Sequence, residues 1–327
     1  MNIKRNINPK EICDQIKKGN ITALSKAITL SESNINSDQE LANKILAKLK
    51  TKNNDSIRIG VTGVPGAGKS TFIESFGNHI TNLGLKLAVL TIDPSSSVTK
   101  GSILGDKTRM ETLSANKNVF IRPSPASNFQ GGVGKNTRES IFLCESAGYD
   151  IILIETVGVG QNEISVAEMV DFFLLLKISG SGDELQGIKR GIIEMSDLIA
   201  INKCDGDNVK DSIKAKNEFK LALQLFPKKK SNWKPQVLTC SSLTGEGLAE
   251  IWECITNYVN LTKKNNYFYE NRINQNKSWL LQIIDYSLRK SFFNRKSIKI
   301  KLNNLIKKIE EQKISIFEAS RKILSEI

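Results

Sequence analysis

Gly63-Val64-Pro65-Gly66-Ala67-Gly68-Lys69-Ser70-Thr71 sets two glycines around four residues and follows them with Lys-Ser. That is the pattern of a phosphate-binding loop. Each residue type has a physical task. Glycine lets the backbone curl until successive N–H groups face phosphate oxygens. Lys69 brings a positive charge to β- and γ-phosphates, and the Ser70 hydroxyl is placed to ligate Mg²⁺. The flanks agree with this reading. Ile57-Arg58-Ile59-Gly60-Val61 reads as a strand entering the loop, and Phe72, Ile73, Phe76 and Ile80 then recur at helical spacing. The loop therefore opens a helix, whose N-terminal dipole also favours phosphate.

Working outward, the chain keeps a strand–helix rhythm. Strands are predicted at 87–92, 119–121, 151–155, 172–178, 198–201 and 236–239. Several are near-continuous apolar runs, as expected where helices cover both faces of a sheet. The predicted fold is α/β, a P-loop NTPase domain with a mostly parallel sheet, flanked by helical extensions at both ends. We expect an N-terminal helical extension over 1–55, the P-loop domain over 56–260 and a C-terminal helical arm over 261–327. In the first extension Asn8-Pro9 makes an N-cap and first position, and Ser37 or Asp38 is a candidate cap for a second helical run.

Ligand residues should lie on loops at the carboxyl ends of the strands. Asp93-Pro94-Ser95-Ser96-Ser97 and 101–110 form a polar stretch carrying Asp93 and Asp106, which reads as a switch around Mg²⁺ and a γ-phosphate. The 151–155 strand ends in Glu155, the position of the acid that holds Mg²⁺ directly or through water, with Glu where Asp is usual. Gly158 follows, where a backbone N–H can approach the γ-phosphate. Asn202-Lys203-Cys204-Asp205 reads guanine: the Asp205 carboxylate accepts from N1–H and the 2-amino group, Asn202 reaches N7, and the Lys203 stem covers the base. Adenine lacks those donors and would leave the carboxylate unpaired. Ser241-Ser242-Leu243 is the loop placed to close over O6. A last glycine- and acid-rich stretch, 179–190, precedes a helix.

Composition narrows the class further. The five cysteines are scattered without a CxxC pair and there is a single histidine, His79, which argues against a disulfide framework or a Cys/His zinc site. A reduced, cytoplasmic setting is expected, with no signal segment at the start and no apolar run long enough for a membrane. The net charge of +13 lies mostly in the tail from Thr256 onward, where 15 Lys/Arg face 6 Asp/Glu. These charges alternate with apolar positions and match no nucleic-acid module, so nucleic acid is not the expected partner. The tail's apolar rows, Leu280/Ile283/Ile284/Leu288 and Leu302/Leu305/Ile306/Ile309, need a surface to bury against, and dimerisation is the expected use.

The sequence resembles the methylmalonyl-CoA mutase-associated GTPases, a branch also described as arginine/ornithine transport-system kinases. The likeness is carried by Ala23-Leu24-Ser25-Lys26-Ala27-Ile28-Thr29-Leu30, the phosphate loop, 93–97, 101–110, Ile121-Arg122-Pro123-Ser124-Pro125, 155–161, 183–189 and 201–205. It implies a GTPase that dimerises through its C-terminal arm and acts as a chaperone of the adenosylcobalamin-dependent mutase, gating cofactor loading, protection or reactivation. Its cofactors would be GTP/GDP and Mg²⁺. The resemblance also implies that Asp93, Asp106 and Glu155 surround Mg²⁺ and the attacking water, and that 183–189 reports the nucleotide state to the mutase. Two alternatives stand beside it. A kinase of a periplasmic amino-acid-binding transport protein has no use for a guanine-reading loop. A nickel metallochaperone GTPase would need thiolate or imidazole ligands.

Overall fold

The computed structural model describes residues 8–50, 55–93, 110–125, 132–156, 162–180 and 190–326. Three helices lead in: α1 (Pro9–Lys17), α2 (Ile21–Glu32) and α3 (Asn36–Lys48). The Asn8 side chain caps α1 by accepting from Lys10 N–H at 3.0 Å, with Pro9 in the first turn. Gly19 (φ +77°) then breaks the run, and Asn20 caps α2 by accepting from Ala23 N–H at 2.9 Å. Neither expected cap serves α3, whose N-cap is Ile35 without a side-chain bond. Asp38 instead accepts from the Ser33 hydroxyl at 2.8 Å, fixing the turn between the helices.

Among the described residues seven strands follow, β1 (Ile57–Gly63), β2 (Leu87–Asp93), β3 (Val119–Pro125), β4 (Ile151–Glu155), β5 (Phe172–Ile178), β6 (Leu198–Asn202) and β7 (Gln236–Thr239). All neighbouring pairs are parallel, in the order β3-β2-β4-β1-β5-β6-β7. The helices of this region are α4 (Lys69–Asn82), α5 (Glu111–Ser114), α6 (Gly132–Ala147), α7 (Asn162–Ala167), α8 (Arg190–Met195), α9 (Val209–Leu223) and α10 (Leu248–Lys264). The α/β expectation holds. The continuous apolar strands split residue by residue between two cores, as a period of two requires. In β4, Ile152 and Ile154 join a core with α1, α2, α3 and α6. Ile151 and Leu153 face the other way, with α4 and α10.

β3 runs further than its predicted 119–121 because it is an edge strand. Among the described residues its outer side has no ladder to satisfy, so Pro123 and Pro125 remain in register with Thr91 and Asp93 of β2.

The last helices are α11 (Tyr267–Asn294), α12 (Lys296–Glu310) and α13 (Ile316–Leu324). The chain divides into compact units within α11, after Gln275. Its first turns belong to the sheet unit for an electrostatic reason. Arg272 donates to both oxygens of Asp171, its Nε at 2.8 Å and its Nη2 at 2.6 Å, and packs 4.4 Å from the Phe268 ring centroid. Arg58 of β1 holds Glu145 of α6 with two bonds of 2.8 and 2.9 Å. Both carboxylates are almost fully buried, and breaking one partner of such a pair strands a charge. The second unit, 276–327, has its own small core of Ile298, Leu305, Ala319 and Ile323.

Candidate nucleotide site

β1 ends at Gly63, where nothing larger fits: a Cβ there would lie 2.4 Å from the Leu176 carbonyl of β5. The chain then turns through Gly66 (φ +82°) and Gly68 (φ +83°), the left-handed region that glycine enters at no steric cost. Ala67 is fully buried beneath the turn, while Pro65 and Gly66 are exposed. α4 begins at Lys69, so Ser70 and Thr71 lie in its first turn with Val64 at the loop's start. The Lys69 ammonium folds back to donate to the carbonyls of Gly63 at 2.9 Å and Val64 at 3.4 Å. Burial pulls its pKa down, and the negative charges of Glu155 and Glu163 oppose that shift.

Glu155 is half-buried at the carboxyl end of β4, in register with Val61 of β1 and Thr91 of β2. One residue on, the Thr156 hydroxyl donates to Thr62 at 2.8 Å. Asp93 is the last residue of β2, at the same carboxyl end of the parallel sheet. Asp106 and Gly158 lie outside the described residues.

The stretch 202–205, expected to read guanine, lies against the phosphate loop. Asn202, the last residue of β6, is 1% exposed. Its Nδ2 donates to Ala67 O at 2.8 Å, while its Oδ1 accepts from Ser242 N at 3.0 Å and Ser242 Oγ at 2.8 Å. Asn202 is thus a brace between the phosphate loop and the loop after β7, a role that its place in the motif did not disclose. A Cβ on Gly68 would stand 2.8 Å from Asn202 Nδ2 and 3.8 Å from Lys203 Cε. The third glycine of the loop is therefore required by the closeness of Asn202 as well as by its own φ.

Asp205 accepts from the Ser241 hydroxyl, whose oxygen accepts in turn from Thr244 N at 3.1 Å and Leu243 N at 3.3 Å. Leu243 stands 83% exposed at the loop tip. Ser75 of α4 donates to the Ser242 carbonyl, closing a ring around the site. Sequence reasoning missed Ser75 because no local pattern links it to a partner 167 positions away. The donor set proposed for Mg²⁺, a hydroxyl and three carboxylates, is all oxygen and suits that hard cation. The glycine cradle at the N-terminus of α4 suits a phosphate.

The family model described as Methylmalonyl Co-A mutase-associated GTPase MeaB matches residues 24–297. The chain belongs to this family. Among curated relatives, GTPase ArgK of Escherichia coli K12 is 46% identical over 266 residues, covering 81% of this chain and 80% of that protein. The mitochondrial methylmalonic aciduria type A homolog of Mus musculus is 43% identical, covering 89% of this chain and 73% of that protein. A solved structure described as an LAO/AO transport system kinase is 34% identical, with a TM-score of 0.75 over 98% of both chains. This MeaB-family protein is accordingly a P-loop GTPase, a GTP hydrolase. Among its described residues no helix is long and apolar enough to cross a membrane.

Proposed function

We propose that this MeaB-family GTPase serves an adenosylcobalamin-dependent acyl-CoA mutase, methylmalonyl-CoA mutase first, and couples GTP hydrolysis to cofactor loading, protection or reactivation. The observation that carries the guanine-nucleotide reading is the Asn202 brace. It joins the phosphate loop and the base-reading loops into one rigid rim. The mutase is supported by the family match over 24–297. The compartment we infer is a reducing cytoplasm, supported by five cysteines that are all free thiols.

Hydrolysis needs no covalent intermediate. In our reading Lys69 exchanges the carbonyls of Gly63 and Val64 for β- and γ-phosphate oxygens, so its donors are held in place before the nucleotide arrives. By the same reading the loop from Gly63, Val64 and Pro65 through Gly66, Ala67, Gly68 and Lys69 to Ser70 and Thr71 wraps the phosphates, with donors from its glycine turn and the first turn of α4. The Ala67 N–H stays on the Val64 carbonyl at 3.1 Å. Asp205 reads the base edge, Lys203 covers its face, and Ser241, Ser242 and Leu243 close over O6. Ser70, Asp93, Asp106 and Glu155 would hold Mg²⁺, which supplies neutralisation of phosphate charge when bound. Asp93 or Asp106 orients the attacking water, and Gly158 senses the γ-phosphate. The arm over 261–327 forms the homodimer.

The mutase's own lifetime tests this. Inactivation of the mutase during turnover should slow when the protein and GTP are added, and should not slow with the Lys69→Ala variant. Equal protection by both forms, or by neither, would contradict the proposal.

A further inference from the structure

We propose that Asn208 is a positioning residue for guanine recognition, an inference that rests on the base-reading role given to Asp205. The observation is a strained residue and the clamp that holds it. Lys203 sits at φ +61°, in the left-handed region that L side chains seldom adopt. Its carbonyl accepts from Asn208 Nδ2 at 2.7 Å. The other end of the same carboxamide, Oδ1, accepts from the Ser179 hydroxyl at 2.7 Å. Asn208 closes the 3₁₀ turn Gly206–Asn208, and its backbone N–H donates to the Asp205 carbonyl at 3.1 Å.

Each connection has a consequence for the base. The base-reading loop is fixed at three points: by Asn202 at its start, by Cys204 N–H donating to Cys240 O at 3.0 Å, and by Asn208 at Lys203. Ser179 follows β5, whose last residue Ile178 is in register with Asn202. The Ser179–Asn208 bond therefore references the loop to β5 as well as to its own strand. Asparagine is the side chain that fits, because it donates to a carbonyl at one end and accepts from a hydroxyl at the other. Without it the Lys203 peptide relaxes toward negative φ. That rotation carries the Lys203 stem off Gly68 and displaces Asp205, two residues on, from the N1–H and 2-amino edge. No phosphate contact is involved, so the effect falls on the base.

The test compares GDP with IDP, whose base lacks the 2-amino group, by displacement of a fluorescent GDP from the full chain. Wild type should prefer GDP by at least about tenfold, the worth of one hydrogen bond to a charged group. In Asn208→Ala we expect GDP to weaken about tenfold and IDP by much less, so that the preference shrinks. Asn208→Asp keeps the acceptor for Ser179 but not the donor for Lys203, and should behave like Asn208→Ala. Ser179→Ala, which leaves the turn intact, should shift the ratio in the same direction by a smaller factor. A variant pair that binds both nucleotides more weakly with an unchanged GDP/IDP ratio would mean a merely structural role and would overturn the inference. Wild-type indifference between GDP and IDP would instead overturn the base-reading role of Asp205, and this inference with it.

Discussion

Gly68 carries two constraints at once, and its substitution separates them from ordinary loop tolerance. Ala at 68 would face a backbone at φ +83° and a contact of 2.8 Å with Asn202 Nδ2. The strain is about 1–3 kcal/mol, and Asn202 must give up either Ala67 or its place beside Ser242. Gly68→Ala should thus lower both the melting temperature and GDP affinity. Unchanged GDP binding would show that the Asn202 brace is dispensable. Asp205→Asn should move preference from guanine toward xanthine, because half of the acceptor becomes a donor. A direct competition between GTP and XTP reads this, and a variant that still strongly prefers GTP would contradict it. Residues such as Lys69, Ser70 and Asp205 were proposed from sequence because the chemistry asked of them is written in local spacing. Ser75 and Asn208 were not, since each acts through a partner on another element and nothing beside it in sequence marks the pairing.

At the scale of elements, what the apolar runs announced was a sheet covered on both faces, and the alternation of β4 between two cores is the physical content of that reading. Strand ends were harder to place, since Pro123 and Pro125 stop a strand only where a ladder needs their missing N–H groups. Helix α6 makes a prediction of its own. Burial raises the Glu139 carboxyl from 4.5 to about 7, against the pull of the Lys135 ammonium 3.8 Å away. The folded state then keeps a proton that the unfolded chain has released. Stability is lost as pH rises from about 4.5 to about 7, by about 3 kcal/mol, and is level above that. Glu139→Gln removes the ionisation. Its melting temperature should exceed that of wild type at pH 8 and approach it near pH 4.5. A lower melting temperature than wild type at pH 8 would show that the ionised carboxylate is stabilising.

For the whole molecule, the second unit raises the question of assembly. Along α11, Leu280, Leu281, Ile284 and Leu288 are 58%, 67%, 45% and 63% exposed in the single chain. A row of that kind usually marks a contact surface. If it forms the homodimer, Ile284→Asp combined with Leu288→Asp should give a monomer by light scattering with basal GTP turnover intact. A dimer that persists would move the interface elsewhere. Sequence patterning could show that the row is apolar, but not its partner, because complementarity between copies leaves no periodic trace.

The central claim joins a guanine-specific hydrolase to a cobalamin enzyme, and GTP turnover tests it most directly. Purified protein would be assayed alone and with methylmalonyl-CoA mutase from the same organism, with ATP and Lys69→Ala as controls. We expect slow GTP hydrolysis alone, faster hydrolysis with the mutase, and no hydrolysis of ATP or by the variant. GTP turnover that the mutase leaves unchanged would contradict the coupling, and turnover that survives in Lys69→Ala would contradict the site.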